Sequence, residues 1–429
     1  MAPSRRLPAS PPPPPRIHPV DRRHHHVSPP TEITPVTLRL LNAGLPGLPG
    51  RFDVTLADGR IAAVAPAADP VPTPTGPTPT ATVDLAGALL LPALVDGHVH
   101  LDKTFLGAPW MPHRTGDGIA ARIAAERAAR RDVGVPVATR ARRLIDRVSA
   151  LGTVAMRSHV DIDEEIGLAN VEALLALRAE VADVMDVQLV AFPQSGLTAK
   201  VRDLMDAALG LGVEVVGGLD PAGIDGDVEG HLGAVFALAE RHGGRVDVHL
   251  HDPGELGAFE LRQIAARTRA AGLVGRVAVS HAFALGMVDD AVFGRTAAAL
   301  AEAGVAIMTN GPGAAAMPPV GRLLAAGVTV FGGSDNIRDA WSPFGDGDML
   351  ARAALIGYRA DFRHDHELEA AFALASAAPR AVIGMPPVAI EPGAPADLVA
   401  VDATCLPEAV ATHPPRRLVV KAGQILMRV

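Results

Sequence analysis

Two histidines one residue apart, His98 and His100, end an apolar run and stand beside Asp102 and Lys103. On extended backbone alternate side chains share a face, so both imidazoles point the same way. Paired imidazoles at a strand end make half of a transition-metal site. The competing reading is two satisfied core histidines, but a dry core rarely collects four polar groups in one turn. A single cysteine, Cys405, rules out an intrachain disulfide and every zinc pattern built on paired thiolates. A metal here therefore needs imidazole and carboxylate ligands. Lysine occurs only at positions 103, 200 and 421. In a chain that otherwise uses arginine, a lysine beside His100 is a candidate for chemistry rather than an ordinary surface group.

The segment that carries the pair, Leu89–Val95, is short, apolar and bounded by polar residues, the pattern of a buried strand. Seven further apolar runs follow: TVAMRSHVDI, VQLVAFPQ, VEVVGGLD, RVDVHLHD, VAVSHAF, VAIMTNGP and VTVFGGSD. Most are separated by roughly 25 to 35 residues of Ala-, Leu- and Arg-rich sequence, the size of a strand–helix unit. Helices are predicted over Gly118–Val135, Val137–Leu151, Thr198–Gly210, Gly230–His242 and Gly257–Ala271. Eight such units predict an α/β fold, a (β/α)8 barrel of the TIM type, with its chemistry at the carboxyl ends of the strands. Continuously apolar strands fit a parallel sheet buried on both faces. In chain order those ends carry His98, His100, Asp102 and Lys103; His159, Asp161 and Asp163; Gln194; Asp220; His249, His251 and Asp252; His281; Asn310; and Asp335 with Asn336. Six of the 16 histidines fall on this small part of the chain. Scattered core histidines would not gather on one rim.

Residues 1–31, with a run of five prolines and His24–His26, read as a disordered low-complexity tail. Residues 32–90 and 388–429 carry short strand signals with Gly and Asp-Gly turns. They are expected to meet in one small β-sandwich module built from both termini, leaving 91–387 for the catalytic barrel. Hydrophobic residues make up 48% of the chain and charged residues 20%, and the net charge is -8. That composition suits a compact globule and offers no basic surface for nucleic acid. No secretory apolar segment is present, and no apolar run reaches the roughly 18 residues of a membrane span. A cytoplasmic protein with no membrane partner is expected.

With these residues in place, the chain resembles the amidohydrolase superfamily. The resemblance is carried by HVH after the first strand, a histidine on the fifth, SH on the sixth and SD on the eighth. VAFPQSG and DNIRDAWSPFGDGDM are similar to the cytosine deaminase family. HVHLDKTF, GGLDPAGIDGDVEG and HLHD are closer to its N-isopropylammelide isopropyl amidohydrolase branch. The likeness covers about residues 85–390 and extends into the flanking module.

The resemblance implies one divalent metal ion held by His98, His100, His249 and Asp335, with zinc, iron(II) or manganese(II) as the candidates. It implies hydrolysis of an exocyclic C–N bond of a pyrimidine- or s-triazine-type heterocycle by a metal-activated water, with release of ammonia or an amine. Asp335 and His281 would handle the proton of the water. Cytosine deaminases place a glutamate general acid where this chain has Asp252, one carbon shorter. Three candidates for that role therefore stand open: His251, Asp252 and Lys103. Gln194 matches the family glutamine that reads a ring edge, and Asp220 is placed to bind a ring N–H or to position Lys103. His159 is a candidate to orient ligands, and Trp341 either walls the pocket or packs in the core. The partner implied is a small heterocyclic substrate, and a homo-oligomer is expected. A cytosine deaminase proper is the alternative within the class. A non-catalytic barrel used for binding or assembly is the alternative outside it.

Overall fold

The apolar run before the paired histidines serves two sheets rather than one. Leu89–Pro92 is one strand and Leu94–Val99 another, so the single strand read over Leu89–Val95 is divided. Pro92 has no N–H to continue a ladder, and the chain changes partners there. Ala93 N–H donates to Asp397 O at 3.0 Å, and Leu94 N–H to Gly152 O at 2.8 Å. These relations come from a computed structural model, which describes residues 37–67, 80–113, 116 and 118–429. The tail expected over 1–31 lies outside the described residues.

Leu94–Val99 opens a parallel barrel and is called β1. It is followed by β2 (Thr153–Asp161), β3 (Asp186–Phe192), β4 (Val215–Leu219) and β5 (Arg245–Leu250). The series ends with β6 (Val277–His281), β7 (Ala306–Thr309) and β8 (Val330–Gly332). Neighbours in sequence are neighbours in the sheet, from β8 through β1. A parallel bridge between Val99 and Asp335 closes the circuit, with Asp335 N–H donating to His98 O at 2.8 Å. Two glycines permit this closure. A Cβ on Gly97 would strike the Phe331 ring and sit 2.8 Å from Gly332 O, and one on Gly333 would meet His98 backbone and Cβ atoms at 2.6–2.8 Å. The seam that brings His98 against Asp335 therefore requires bare backbone on both strands.

The predicted helices are present as Gly118–Asp132, Val137–Ala150, Ala199–Gly210, Val228–His242 and Gly254–Ala270. Thr198, Asp227 and Asp289 cap helix starts by accepting backbone N–H groups, as short polar side chains at that position do. The barrel strands and helices share a large buried core that includes Leu144, Val160, Val216, Leu250 and Ile307.

The terminal strands form a second, mainly antiparallel sheet. Its order is Gln424–Arg428, Arg416–Lys421, Leu398–Val401, Leu89–Pro92, Thr37–Leu45, Leu48–Ala57 and Arg60–Pro66, with Thr80–Asp84 alongside Thr37–Leu45. Both chain ends thus build one sheet, around Leu40, Val54, Leu56, Leu398 and Leu418. Among the described residues no helix is long and apolar enough to cross a membrane.

Candidate metal centre and active site

The carboxyl ends of the barrel strands bring the histidines together. His98, His100 and Asp335 each offer an atom within 4.8 Å of the others, and so do His98, His249 and His281. The two groups share His98, so β1, β5, β6 and the segment after β8 meet at one point. Asp335 Oδ1 lies 3.6 Å from His98 Nε2 and 3.4 Å from His100 Nε2. The His98 ring stands 4.7 Å from that of His249 and 5.4 Å from that of His281.

Several of these nitrogens are buried without a partner: His98 Nε2, both ring nitrogens of His249, and His281 Nδ1. A stranded buried polar group costs about 1–3 kcal/mol, and a folded protein rarely tolerates a cluster of them. One divalent cation would satisfy His98 Nε2 and one nitrogen of His249 at once, and the imidazole–carboxylate donor set suits zinc, iron or manganese. The residues fit a metal.

Charge supports the same arrangement. Burial pushes the imidazoles of His249 and His281 well below the usual histidine range. Burial and then the Lys103 charge bring His100 down to about 3. Neutral imidazole is the form that coordinates. Burial alone would raise the Asp335 carboxyl, but its close approach to the His100 and His98 rings outweighs it and holds the group well below the ordinary carboxylate value. Its second oxygen, Oδ2, accepts from Asn310 Nδ2 at 2.7 Å.

A buried chain of polar groups fixes His98 from behind. His98 Nδ1 meets Ser280 Oγ at 2.8 Å, and that hydroxyl donates to Asp247 Oδ1 at 2.7 Å. Asp247 Oδ2 accepts from Arg157 at 2.8 Å. With Ser280 donating to Asp247, its oxygen accepts a hydrogen bond from His98 Nδ1–H, which leaves Nε2 free to face the other ligands. Backbone geometry is also unusual here. Asp220, His281 and Asp335 adopt positive φ of 36°, 73° and 61°, a conformation that costs about 1–3 kcal/mol and concentrates at functional sites.

A cavity of about 870 Å³ opens above the cluster, lined by His100, Lys103, Phe192, Gln194, His249, His251, His281, Asp335 and Trp341 among others. Lys103 is buried in its wall. Its Nζ donates to Gln194 Oε1 at 3.0 Å and lies 3.2 Å from Asp161 Oδ1 and 3.4 Å from Glu126 Oε2. Burial opposes its charge, but the surrounding carboxylates win and push its pKa up. Glu126 also accepts from Gln194 Nε2 at 2.8 Å and from Trp341 Nε1. Burial raises its carboxyl, but the Lys103 charge together with hydrogen bonds to Asp161 and Trp341 brings it below the ordinary value. Burial and the Glu126 charge push Asp161 well above the ordinary carboxyl value. The local charge pair is therefore Lys103 with Glu126. Trp341 lies on the cavity wall, with Lys103 Nζ 5.2 Å from its ring centre.

His251 also faces the cavity. Its ring stacks on His281 at 4.5 Å, and its Nδ1 meets Asp220 Oδ2 at 2.9 Å. Three candidate residues lie elsewhere. Asp252 turns into the loop after β4, where its Oδ2 accepts from Gly223 N–H at 2.9 Å, and it does not line the cavity. The strand ends at Leu250, so alternation no longer aims position 252. Asp220 likewise holds His251 rather than reaching the cavity or Lys103. His159 is fully buried beneath the cluster, its ring 3.9 Å from that of His98 and 4.6 Å from that of His249. It does not line the cavity but stands behind two of the candidate metal ligands, the place from which it would orient them. Two residues that matter here were not singled out as site residues from sequence. Asn310 was noted only as a strand-end residue. Glu126 had one faint signal, its place on the Ile119–Ile123 face of its helix.

Comparison with known proteins follows the same lines. A model of the amidohydrolase family matches residues 81–427. N-isopropylammelide isopropyl amidohydrolase of Pseudomonas sp. (strain ADP) is 30% identical over 358 residues, 81% of this chain and 88% of that protein. The crystal structure of N-isopropylammelide isopropylaminohydrolase from Burkholderia multivorans superposes with a TM-score of 0.86 at 39% identity, covering 92% of this chain and 98% of that one. 5-Methylcytosine deaminase from Klebsiella pneumoniae, crystallised with 5-fluorocytosine, gives a TM-score of 0.80 at 26% identity over 91% of this chain and 97% of its own.

Proposed function

The chain belongs to the amidohydrolase family, and from that premise we propose that it releases an amine or ammonia from a nitrogen heterocycle of the s-triazine or pyrimidine type. The observation that carries the reading is the gathering of unpartnered imidazole nitrogens and Asp335 at the floor of one cavity. In this reading His98, His100, His249 and Asp335 hold one divalent ion, zinc, iron(II) or manganese(II). Such an ion, when bound, supplies the Lewis acidity that lowers the pKa of a water from 15.7 toward about 7.

The protein's own groups do the rest. Asp335 Oδ2, steadied by the Asn310 amide, and His281 Nδ1, buried and unpartnered, take and hold the proton given up by the attacking water. Attack at the ring carbon is followed by cleavage of the exocyclic C–N bond, which needs a proton on the leaving nitrogen. His251 is the best-supported donor. It lines the cavity, and Asp220 accepts from its Nδ1, which orients Nε2–H toward substrate. Lys103 is hydrogen-bonded to Gln194 and held charged by Glu126, so it suits fixing Gln194 better than giving up a proton. Phe192 and Trp341 supply flat apolar walls for a ring.

Asp252 favours the amine-releasing reading over a cytosine deaminase proper, because the carboxyl at the deaminase general-acid position is turned out of the cavity. The non-catalytic barrel is left without support by relatives named as hydrolases over most of the chain. A turnover screen of the metal-loaded protein tests the proposal, with cytosine-type and N-alkylated triazine amines as substrates and ammonia and amine release as readouts. Amine release from an N-alkylated ring is expected. Ammonia release from cytosine alone would reverse the preference between the two readings, and no release from any ring amine would refute both.

A further inference from the structure

Resting on the reading above, we propose that the substrate ring carries a carboxylate, and that Arg122 at the cavity wall binds it. The charges lining the cavity lead there. Its carboxylates are already matched within the protein. Asp335 faces His98 and His100 among the proposed metal ligands, where the bound divalent ion would match its charge. Asp346 lies 3.4 Å from an Arg147 nitrogen. Asp348 accepts from the N–H groups of Leu350 and Ala351 and pairs with Arg416. Lys103 is likewise neutralised by Glu126.

Of the three guanidinium groups lining the cavity, Arg352 is acted on by Asp96, Asp335 and Asp346, whereas Arg122 and Arg359 have no carboxylate partner among the described residues. Arg352 donates to Asn310 O at 2.6 Å and Ser334 O at 3.2 Å, and Arg359 to Ala315 O at 3.3 Å, all of them neutral acceptors. Arg122 is half-buried on the helix Gly118–Asp132, one turn before Glu126. Among the described residues it has neither a hydrogen bond nor an ion pair. The helix that carries it is anchored, since Ile119 and Ile123 pack with Phe192, Leu219 and Trp341. In a chain of net charge -8, a cavity with surplus guanidinium charge is selective for anions. The planar fork of Arg122, with every donor free, matches a carboxylate in two-point fashion. A neutral ring would leave it with water alone.

Binding to the purified, metal-loaded protein tests this without turnover. Three carboxylated rings are compared by calorimetry with their uncharged parents: orotate and isoorotate with uracil, and oxonate with 5-azauracil. At low ionic strength at least one carboxylated ring is expected to bind about tenfold or more tightly than its parent, as hydrogen bonds between charged groups allow. Arg122→Gln is expected to abolish that preference and Arg122→Lys to restore part of it. Equal affinity within all three pairs, no binding of any carboxylated ring, or a preference that survives Arg122→Gln would overturn the proposal. The last result would trace the preference to the metal instead. Failure of the turnover screen bears on the hydrolase reading alone, so the two failures are distinguishable.

Discussion

Removing one hydroxyl tests how the chain presents His98. Ser280 is fully buried, and its Oγ links His98 Nδ1 at 2.8 Å to Asp247 Oδ1 at 2.7 Å. Ser280→Ala breaks the link while Arg157 still holds the other oxygen of Asp247. Loss of such a supporting contact weakens metal binding by about 10- to 100-fold, or roughly 1.4 to 2.7 kcal/mol. The same change strands two buried polar atoms, each at about 1–3 kcal/mol of fold stability. Two assays separate the effects. Competition with a fluorescent chelator gives the metal Kd, and denaturant unfolding of the metal-free protein gives the stability. Ser280→Thr, which keeps the oxygen, is expected to hold metal nearly as well as the native protein even if the added methyl costs stability. An unchanged metal Kd in Ser280→Ala, with stability lowered in the metal-free protein, would refute the positioning role and leave Ser280 a structural contact.

Lys103→Met should destabilise the metal-free protein by about 3–5 kcal/mol, because it leaves the buried Glu126 anion uncompensated; adding Glu126→Gln should recover most of that, and additive losses in the double-mutant cycle would show that the pair is not coupled. Asp252→Asn is expected to keep kcat within about tenfold, whereas His251→Gln should lose the roughly 10²- to 10⁴-fold of a general acid; the reverse order would return the role to Asp252. Glu260 is pushed from an ordinary 4.5 up to about 8, first by burial and then by the Asp252 charge. Its neutral form is favoured in the folded state, so its stabilisation is complete below about 4.5 and is lost as pH rises through about 8. Glu260→Gln should therefore flatten the fall in stability across that interval, and an unaltered slope in denaturant melts against pH would contradict the assignment.

Much of this was legible in the sequence because two simple signals coincide. Eight apolar runs at βα spacing predict the barrel, and histidines concentrated at their ends predict where the chemistry gathers. The pairing of His98 with Asp335 was less direct, since it depends on the β1–β8 seam that Gly97 and Gly333 allow. The support behind His98 was not legible. Asp247 and Ser280 look like ordinary polar residues in apolar strands, and they meet only because β5 and β6 pair in the register that sets His249 beside Ser280. Glu126 sits in an Ala- and Arg-rich helix where most charged residues face solvent. Asp252 lies just past a strand end, where alternation stops governing direction. The division of Leu89–Val95 at Pro92 was hidden because both halves are equally apolar, and only their partners differ.

Locating the metal tests the central claim most directly. Crystals of purified, active protein, measured for anomalous scattering at the absorption edge of the element found by metal analysis, are predicted to show a single peak. It should lie at about 2.0–2.2 Å from ligand atoms of His98, His100, His249 and Asp335. A peak at another group instead, such as His100 with Asp102 and Asp161, or full activity in protein shown to contain no metal, would contradict the account.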